Sequence, residues 1–326
     1  MKCRRCGDAA VIDLRRHNAG FCRECFLRHC REQVRRAVDE HDMIGPGERV
    51  LVAVSGGKDS LGLWHLLREL DYDADGLYVG LGIAEYSDES AEYARAFATR
   101  HDLKLVEIDL PGEYGFDIPE GSRAAKRAPC SACGLSKRHL FNDAALTHGY
   151  DVLATGHNLD DEAAVLFGNV MRWETEYLGR QHPVLAAAPG FVRKVKPLIR
   201  ISEREMAAYC VLTGIDYIVE ECPMAVGNRH LGYKELLNQL EERSPGSKAA
   251  FVTHFLERAQ PRFVGEATEA REELRPCASC GAPTPGDRRA DAAEPGMAQR
   301  GSHIVCAFCR MRARAVGTPI PVQVTP

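Results

Sequence analysis

The feature that most constrains this 326-residue chain is a junction near residue 55. The apolar run Val50-Leu-Val-Ala-Val54 passes directly into Ser55-Gly56-Gly57-Lys58-Asp59-Ser60, and helical apolar spacing begins at Leu61. A short continuous apolar run reads as a strand buried on both faces, which requires layers of structure above and below it. Two glycines let the following turn fold tightly enough for its N–H groups to face a polyphosphate. The helix N-terminus adds partial positive charge, and Lys58 and the serine hydroxyls complete an anion cradle. The glycines lack the four-residue spacer of a Walker-A loop, which excludes a GTPase or motor ATPase of that type.

Around this junction the pattern alternates. Arg49–Val54, Gly76–Ile83, Leu103–Leu110 and Asp151–Thr155 read as strands; Leu61–Leu70, Ser87–His101, 134–149 and 158–171 read as helices. Such βαβα order implies a parallel sheet with helices on both faces and ligands at the carboxyl ends of the strands. Ser202-Glu-Arg-Glu205 has the form of a capping box opening a helix to Thr213, and His230–Glu242 and 247–259 are further helical segments. With 45% hydrophobic and 27% charged residues the chain can bury a full core. No run approaches a membrane span and the N-terminus has no apolar signal region, so a cytoplasmic protein with no membrane partner is expected.

Thirteen cysteines in a chain read as cytosolic point to metal or redox chemistry before disulfides. Cys3-x2-Cys6 with Cys22-x2-Cys25, and Cys277-x2-Cys280 with Cys306-x2-Cys309, have the spacing of zinc ribbons, each set supplying four thiolates for one Zn2+. The second spacer contains PTPGDRRADAAEPGMAQRGS, which reads as a mobile insertion. Cys30 and Cys210 are assigned to packing. Residues 1–41 and 262–326 each carry a basic excess, while the stretch between them is net −10. That asymmetry fits termini that meet phosphate, and fits solvated surface charge as well.

Three cysteines remain. Cys130 and Cys133, in Pro129-Cys-Ser-Ala-Cys-Gly134, lead into a helix, and Cys222 lies in Glu-Glu-Cys-Pro. Three thiolates can hold a [4Fe-4S] cluster with one iron open, or be a zinc site short of a ligand, or simply be buried. The helix start is expected to depress the Cys133 pKa, which suits metal binding or nucleophilic chemistry. Lys137 and Arg138 lie one turn beyond Cys133, and Arg193-Lys194-Val-Lys196-Pro-Leu-Ile-Arg200 is the densest basic stretch mid-chain; both are candidates for RNA phosphate or the γ-phosphate. Lys137 reads equally as an exposed helix lysine. Thr155-Gly156-His157-Asn158-Leu159-Asp160-Asp161-Glu162 follows the strand at 151–155, on the same rim as the Ser55–Ser60 loop, so its carboxylates can reach Mg2+ or an α-phosphate. Asp160 and Asp161 can also serve as helix N-terminal acids.

SGGKDS resembles the PP-loop of the N-type ATP pyrophosphatases. Together with CSACG, TGHNLDDEA, ECP and a ribbon at each end, it makes the chain similar to the tRNA 2-thiolation enzymes of the TtcA/TtuA family, with terminal ribbons like the TtuA branch. The resemblance implies an α/β fold: a parallel-sheet, Rossmann-like PP-loop domain over 31–262, flanked by zinc ribbons at 1–30 and 263–326. It implies ATP and Mg2+ held by Ala53, Ser55, Gly56, Gly57, Lys58, Asp59, Ser60, Ile83, Gly156 and Asp161. Lys137, Asp161 and Asp59 are the implied catalytic residues, and Cys130, Cys133 and Cys222 the implied ligands of a [4Fe-4S] cluster. It further implies adenylation of a uridine or 5-methyluridine C2 carbonyl in tRNA, sulfur from a ubiquitin-like carrier protein, and a homodimer. Wobble-uridine or cytidine thiolation, a non-thiolating adenylating ligase such as a lysidine synthetase, and a non-catalytic RNA-binding scaffold are the rivals. The complete PP-loop opposes the scaffold, and the ligases do not require the three cysteines.

Overall fold

The computed structural model describes residues 1–225, 229–269, 274–285 and 304–318. Most of the ribbon insertion, 286–303, lies outside them. A hairpin of β1 (Ile12–Leu14) and β2 (Ala19–Phe21) leads into α1 (Arg23–Glu40). There follow β3 (Arg49–Val54), α2 (Lys58–Glu69), β4 (Asp73–Gly80), α3 (Ala84–Arg100) and β5 (Leu105–Asp109), then α4 (Leu110–Tyr114), α5 (Ile118–Ala125) and α6 (Pro129–Thr147). The chain continues through β6 (Val152–Thr155), α7 (Leu159–Arg172), α8 (Thr175–Arg180), β7 (Val184–Leu185), β8 (Arg193–Val195), α9 (Glu203–Thr213), α10 (Arg229–Arg243) and α11 (Ser247–His254). A π-helical turn at Phe255–Ala259 joins α11 to α12 (Gln260–Glu269). The hairpin β9 (Leu274–Pro276) and β10 (Pro283–Pro285) and helix α13 (Ala307–Val316) complete the described chain.

The sheet order is β5-β4-β3-β6-β8-β7, parallel except for β7 at one edge. Strand alternation divides the apolar run of β3 between two cores. Val50, Val52 and Val54 pack toward α1, α2 and α9, whereas Leu51 and Ala53 pack toward α5 and α6. Successive strands run outward on both sides of β3, so the loops after β3 and β6 flank the point where strand order reverses, the usual ligand crevice of an open α/β sheet.

Several boundaries differ from the sequence reading for local reasons. β4 stops at Gly80, and Ile83 instead sits at the N-cap of α3. α6 begins at Pro129 rather than 134, because proline is well suited to the first helical position; Cys130 therefore lies inside its first turn. The capping box at Ser202 forms as read, with the Ser202 side chain accepting from Glu205 N–H and the helix ending at Thr213. Residue 30 falls inside α1 and residue 262 inside α12, so helices rather than linkers cross both expected domain boundaries. Among the described residues no helix is long and apolar enough to cross a membrane.

Candidate active site and metal centres

The PP-loop folds as a tight turn between β3 and α2. Ser60 Oγ accepts from Ser55 N–H (3.0 Å) and donates to Gly57 O (2.9 Å), closing the loop on itself. Gly56 has φ +72°, and a Cβ there would lie 2.3 Å from Ser90 O, so the position admits only glycine. Ile218 N–H bonds to Gly56 O from the other side. The second loop is held by Asn158, which caps α7 by accepting from Asp160 and Asp161 N–H and whose side-chain amide donates to Asp59 Oδ1 (3.2 Å).

These contacts bring distant charges into one chain of alternating sign. Lys58 Nζ lies 3.1 Å from Asp59 and 2.8 Å from Glu203; Lys234 Nζ lies 3.2 Å from Glu203 and 2.6 Å from Asp161. Burial pulls both lysines down, but the carboxylates around them more than offset it and hold both above the ordinary lysine value. Burial pushes Asp59 up, and the neighbouring Asp161 adds to the shift. Lys234 and Glu203 went unnoticed in the sequence. Glu203 lies next to a recognised cap, but Lys234 sits on α10, and only the fold brings it here. Asp160 is a structural tie: buried, it accepts from Lys248 Nζ and from Glu203 N–H.

A cavity of about 740 Å³ opens beside the loop. Ser55, Gly57, Lys58, Asp59 and Ser60 line it, together with Arg16, Glu203 and Arg204. Gly56, Gly156 and Asp161 border the loop without lining this cavity. Ala53 and Ile83, expected at the nucleotide, are buried in the core on the α6 face, because β3 alternation turns Ala53 away from the cavity.

At the start of α6, Cys130 is exposed while Cys133 and Cys222 are half-buried. Cys130 Sγ lies 3.5 Å from Met224 O, and Cys133 and Cys222 both pack against the core that includes Tyr86. The trio is not among the sets of described ligand atoms lying within 4.8 Å of one another. Cys130 and Cys222 nonetheless lie near enough to Cys133 for each to raise its thiol, a three-thiolate donor set of the kind a [4Fe-4S] cluster takes. Cys133 corrects one expectation: burial pushes its thiol up, and the nearby Lys137 and Arg138 do not reverse the shift.

The basic stretch 193–200 is a second correction. Arg193 pairs with Glu48, Lys196 with Glu162 and Arg200 with Glu40, so three of its four cations brace the fold. Lys194 has no ion pair among the described residues, and burial with Lys196 and Arg138 nearby pulls it down to about 8. Lys137 and Arg138 are likewise without an ion pair there. Of the cations expected at a phosphate on α6 and in 193–200, Lys137, Arg138 and Lys194 are those without an ion pair among the described residues.

Both terminal cysteine sets converge to four sulfurs within 4.8 Å of one another. They share one plan. The first knuckle closes with Gly7 N–H to Cys3 O and Cys3 N–H to Asp8 O, matched by Gly281 to Cys277 and Cys277 to Ala282. Gly7 (φ +86°) and Gly281 (φ +74°) supply the left-handed turn. The second knuckle places Cys22 and Cys306 at the N-caps of α1 and α13, with Cys25 and Cys309 one turn in. In the C-terminal set, N–H groups of Cys306 and Cys309 donate to Cys277 and Cys306 sulfurs at 3.2 and 3.4 Å. The Cys309 thiol beside Cys306 holds it down to about 5. Closed four-sulfur sets with N–H support are the donor arrangement of structural zinc.

Comparison with known proteins agrees with this geometry. The family model for the N-terminal LIM domain of the 2-thiouridine synthetase TtuA matches residues 2–27, and that for the PP-loop domain matches 27–225. The tRNA-5-methyluridine(54) 2-sulfurtransferase of Thermus thermophilus is 48% identical over 95% of this chain and 91% of its own; that of Pyrococcus horikoshii is 39% identical over 95% and 93%. The solved U34-tRNA thiolase NcsA from Methanococcus maripaludis, carrying its [4Fe-4S] cluster, superposes with a TM-score of 0.72 at 27% identity, covering 79% of this chain and 87% of that one. A PP-loop model spanning most of the chain and relatives this similar along nearly all of it establish that the chain belongs to the TtuA branch of the PP-loop tRNA 2-thiolation enzymes, and is a tRNA sulfurtransferase.

Proposed function

We propose that this enzyme replaces the C2 oxygen of 5-methyluridine at position 54 of tRNA with sulfur, at the expense of ATP. The observation that carries the reading is the three-cysteine group at the head of α6, on a core whose PP-loop and second loop are joined by alternating charges. The 48% identity to a position-54 sulfurtransferase supports the choice of nucleotide.

The base carbonyl oxygen attacks the α-phosphorus of ATP, pyrophosphate leaves, and a sulfur nucleophile then displaces AMP from C2. Backbone N–H groups of the PP-loop and Lys58 receive the departing pyrophosphate. Asp59 and Asp161 would hold Mg2+, which would supply charge to neutralise the phosphates, and Lys58 and Lys234, now paired with these carboxylates and Glu203, would be the cations that face phosphate oxygens. Lys137 receives the α-phosphate charge that develops at the head of α6. Cys130, Cys133 and Cys222 hold a [4Fe-4S] cluster, which supplies an open iron for the incoming sulfur. The exposure of Cys130 gives a ubiquitin-like thiocarboxylate carrier access to that centre. Each terminal set holds one Zn2+, and the ribbons grip RNA. The enzyme works in the cytoplasm as a homodimer, as the family resemblance implies; a cytoplasmic tRNA 2-thiolation protein of Chlamydomonas reinhardtii is 28% identical over 86% of this chain. Domain limits near 30 and 262 are retained as functional rather than helical boundaries.

The test supplies anaerobic holoenzyme with ATP, sulfide and unthiolated tRNA, then maps thiolated nucleosides by position. Product at 54, absent without ATP, is expected. Product confined to position 34 or to cytidine would overturn the choice of nucleotide, and ATP-independent product would overturn the adenylation.

A further inference from the structure

Between the N-terminal ribbon and the core lies a third set of convergent ligand atoms, distinct in its residues from both cysteine sets, although the zinc count that tests it rests on the reading that each of those sets holds one zinc. His17 follows the β1 strand in a short helical turn, His29 lies on α1, and Glu205 lies in the first turn of α9. His17 Nε2 and His29 Nε2 each stand 3.6 Å from Glu205 Oε1, and the three residues bring one ligand atom each to within 4.8 Å of the others. His29 and Glu205 are almost completely buried, with side chains 6% and 1% exposed.

The hydrogen bonding is unequal across the carboxylate. Glu205 Oε2 is saturated: Ser202 N–H and Oγ donate to it at 2.8 and 2.7 Å, and Arg16 Nη2 reaches it as well. Oε1 has no hydrogen bond, nor has the Nε2 of either histidine. Five buried side-chain nitrogen or oxygen atoms lack a partner among the described residues, and three of them are these atoms, with Arg16 Nε a fourth. A buried polar atom left unpaired costs about 1–3 kcal/mol, so three aimed at one another call for something between them. The spacing identifies what fits. Bonds of about 2.0–2.2 Å at tetrahedral angles separate neighbouring ligand atoms by about 3.4 Å, close to the observed 3.6 Å. The rings are already oriented: Phe21 stacks on His29 with centroids 5.2 Å apart, and the two imidazoles meet edge to face at 4.7 Å.

We propose that His17, His29 and Glu205 form a third metal site, a two-histidine, one-carboxylate site for a zinc-class divalent ion whose fourth position is open to water. Its ligands come from the ribbon turn, the ribbon helix and α9, so the ion clamps the ribbon to the core. The same α9 turn carries Glu203, which pairs with Lys58, and Arg16 and Glu203 both line the cavity beside the PP-loop. The site therefore braces a wall of that cavity from behind.

The test counts zinc in anaerobically purified holoenzyme, with its cluster in place, after growth in zinc and desalting. Two cysteine sets and this site predict three zinc ions per chain in the wild type and two in His17→Gln and in His29→Gln, with iron content and ribbon-thiol protection unchanged. Two zinc ions in the wild type, or equal content in wild type and variants, would overturn the proposal in favour of a hydrogen-bonded His–Glu–His group. Should the variants fail to fold, the cobalt-exchanged wild type decides: a nitrogen and oxygen shell at the metal edge, beside the sulfur shells, supports the site, and sulfur alone refutes it.

Discussion

At the N-terminal end of the chain, Arg16 reaches Glu205 and Arg200 O, Arg15 reaches Glu242 O and Arg23 reaches Leu212 O, so the first cysteine unit adds a rim of charged and polar contacts to the core that Leu14, Phe21 and Phe26 share with α9. At the C-terminal end, Phe308 stacks on His139 with centroids 4.2 Å apart, lies near Phe116 and Tyr114, and is flanked by buried Met311. The two units share their knuckles but not their attachment. The polar rim borders the cavity beside the PP-loop, whereas the aromatic dock rests on α6, which carries Cys130 and Cys133. A common local four-cysteine fold thus leaves the docking chemistry free to differ, and under the proposed function the two docks serve its activation and sulfur-transfer steps.

The strongest way to sharpen this contrast is to disable what lies between the units. Lys58→Ala and Asp59→Ala remove the proposed pyrophosphate ligand and the proposed metal ligand, and each should lower ATP-dependent pyrophosphate release by about 10²–10³-fold while leaving the zinc content of both units unchanged. Full pyrophosphate release in either variant would defeat the PP-loop assignment. Next comes the aromatic dock. Phe308→Ala, at a side chain 2% exposed, should cost roughly 3–5 kcal/mol in urea unfolding and loosen cluster retention while sparing ATP binding.

Arg16→Met leaves a carboxylate hydrogen bond unmade at Glu205 and should cost less, about 1.5–3 kcal/mol, with weakened ATP binding and normal cluster retention. Reversal of the two phenotypes, read by nucleotide titration and iron content, would contradict the division of labour. The smallest effect is expected at Lys194. Its folded value of about 8 lies below that of an unfolded lysine, so the charged form burdens the fold fully below that pH, and the burden fades as pH rises toward the unfolded value. Lys194→Met should therefore melt above the wild type at neutral pH, by about 1 kcal/mol, and the gap should close by about pH 10. A gap independent of pH would show that Lys194 is not held in this way.

The parts of the molecule written in consecutive residues were legible. Strand β3 and the PP-loop follow from one apolar run and two glycines, the α9 cap from Ser202 and Glu205, and the knuckles from cysteine spacing. What was hidden depends on residues far apart in sequence. Lys234 joins Asp161 from α10 across more than seventy positions, and His17, His29 and Glu205 meet only because the ribbon folds back onto α9. The stretch 193–200 looked like a phosphate-binding patch because Glu48, Glu162 and Glu40, which neutralise it, arrive from other elements. Cys133 was misjudged for a similar reason. The helix start is visible in sequence, but the burial that pushes the thiol up is not.

The central claim, that activation and sulfur transfer use separate parts of one site, is tested most directly by Cys222→Ala under anaerobic conditions. Pyrophosphate release and thiolated nucleoside are measured in the same reaction with ATP, tRNA and sulfide. The account predicts that iron and thiolation are lost together while pyrophosphate release survives, because the PP-loop and Asp161 make no use of the third cysteine. Thiolation equal to that of the wild type, from a chain without iron, would contradict it and recast Cys130 and Cys133 as catalytic thiols.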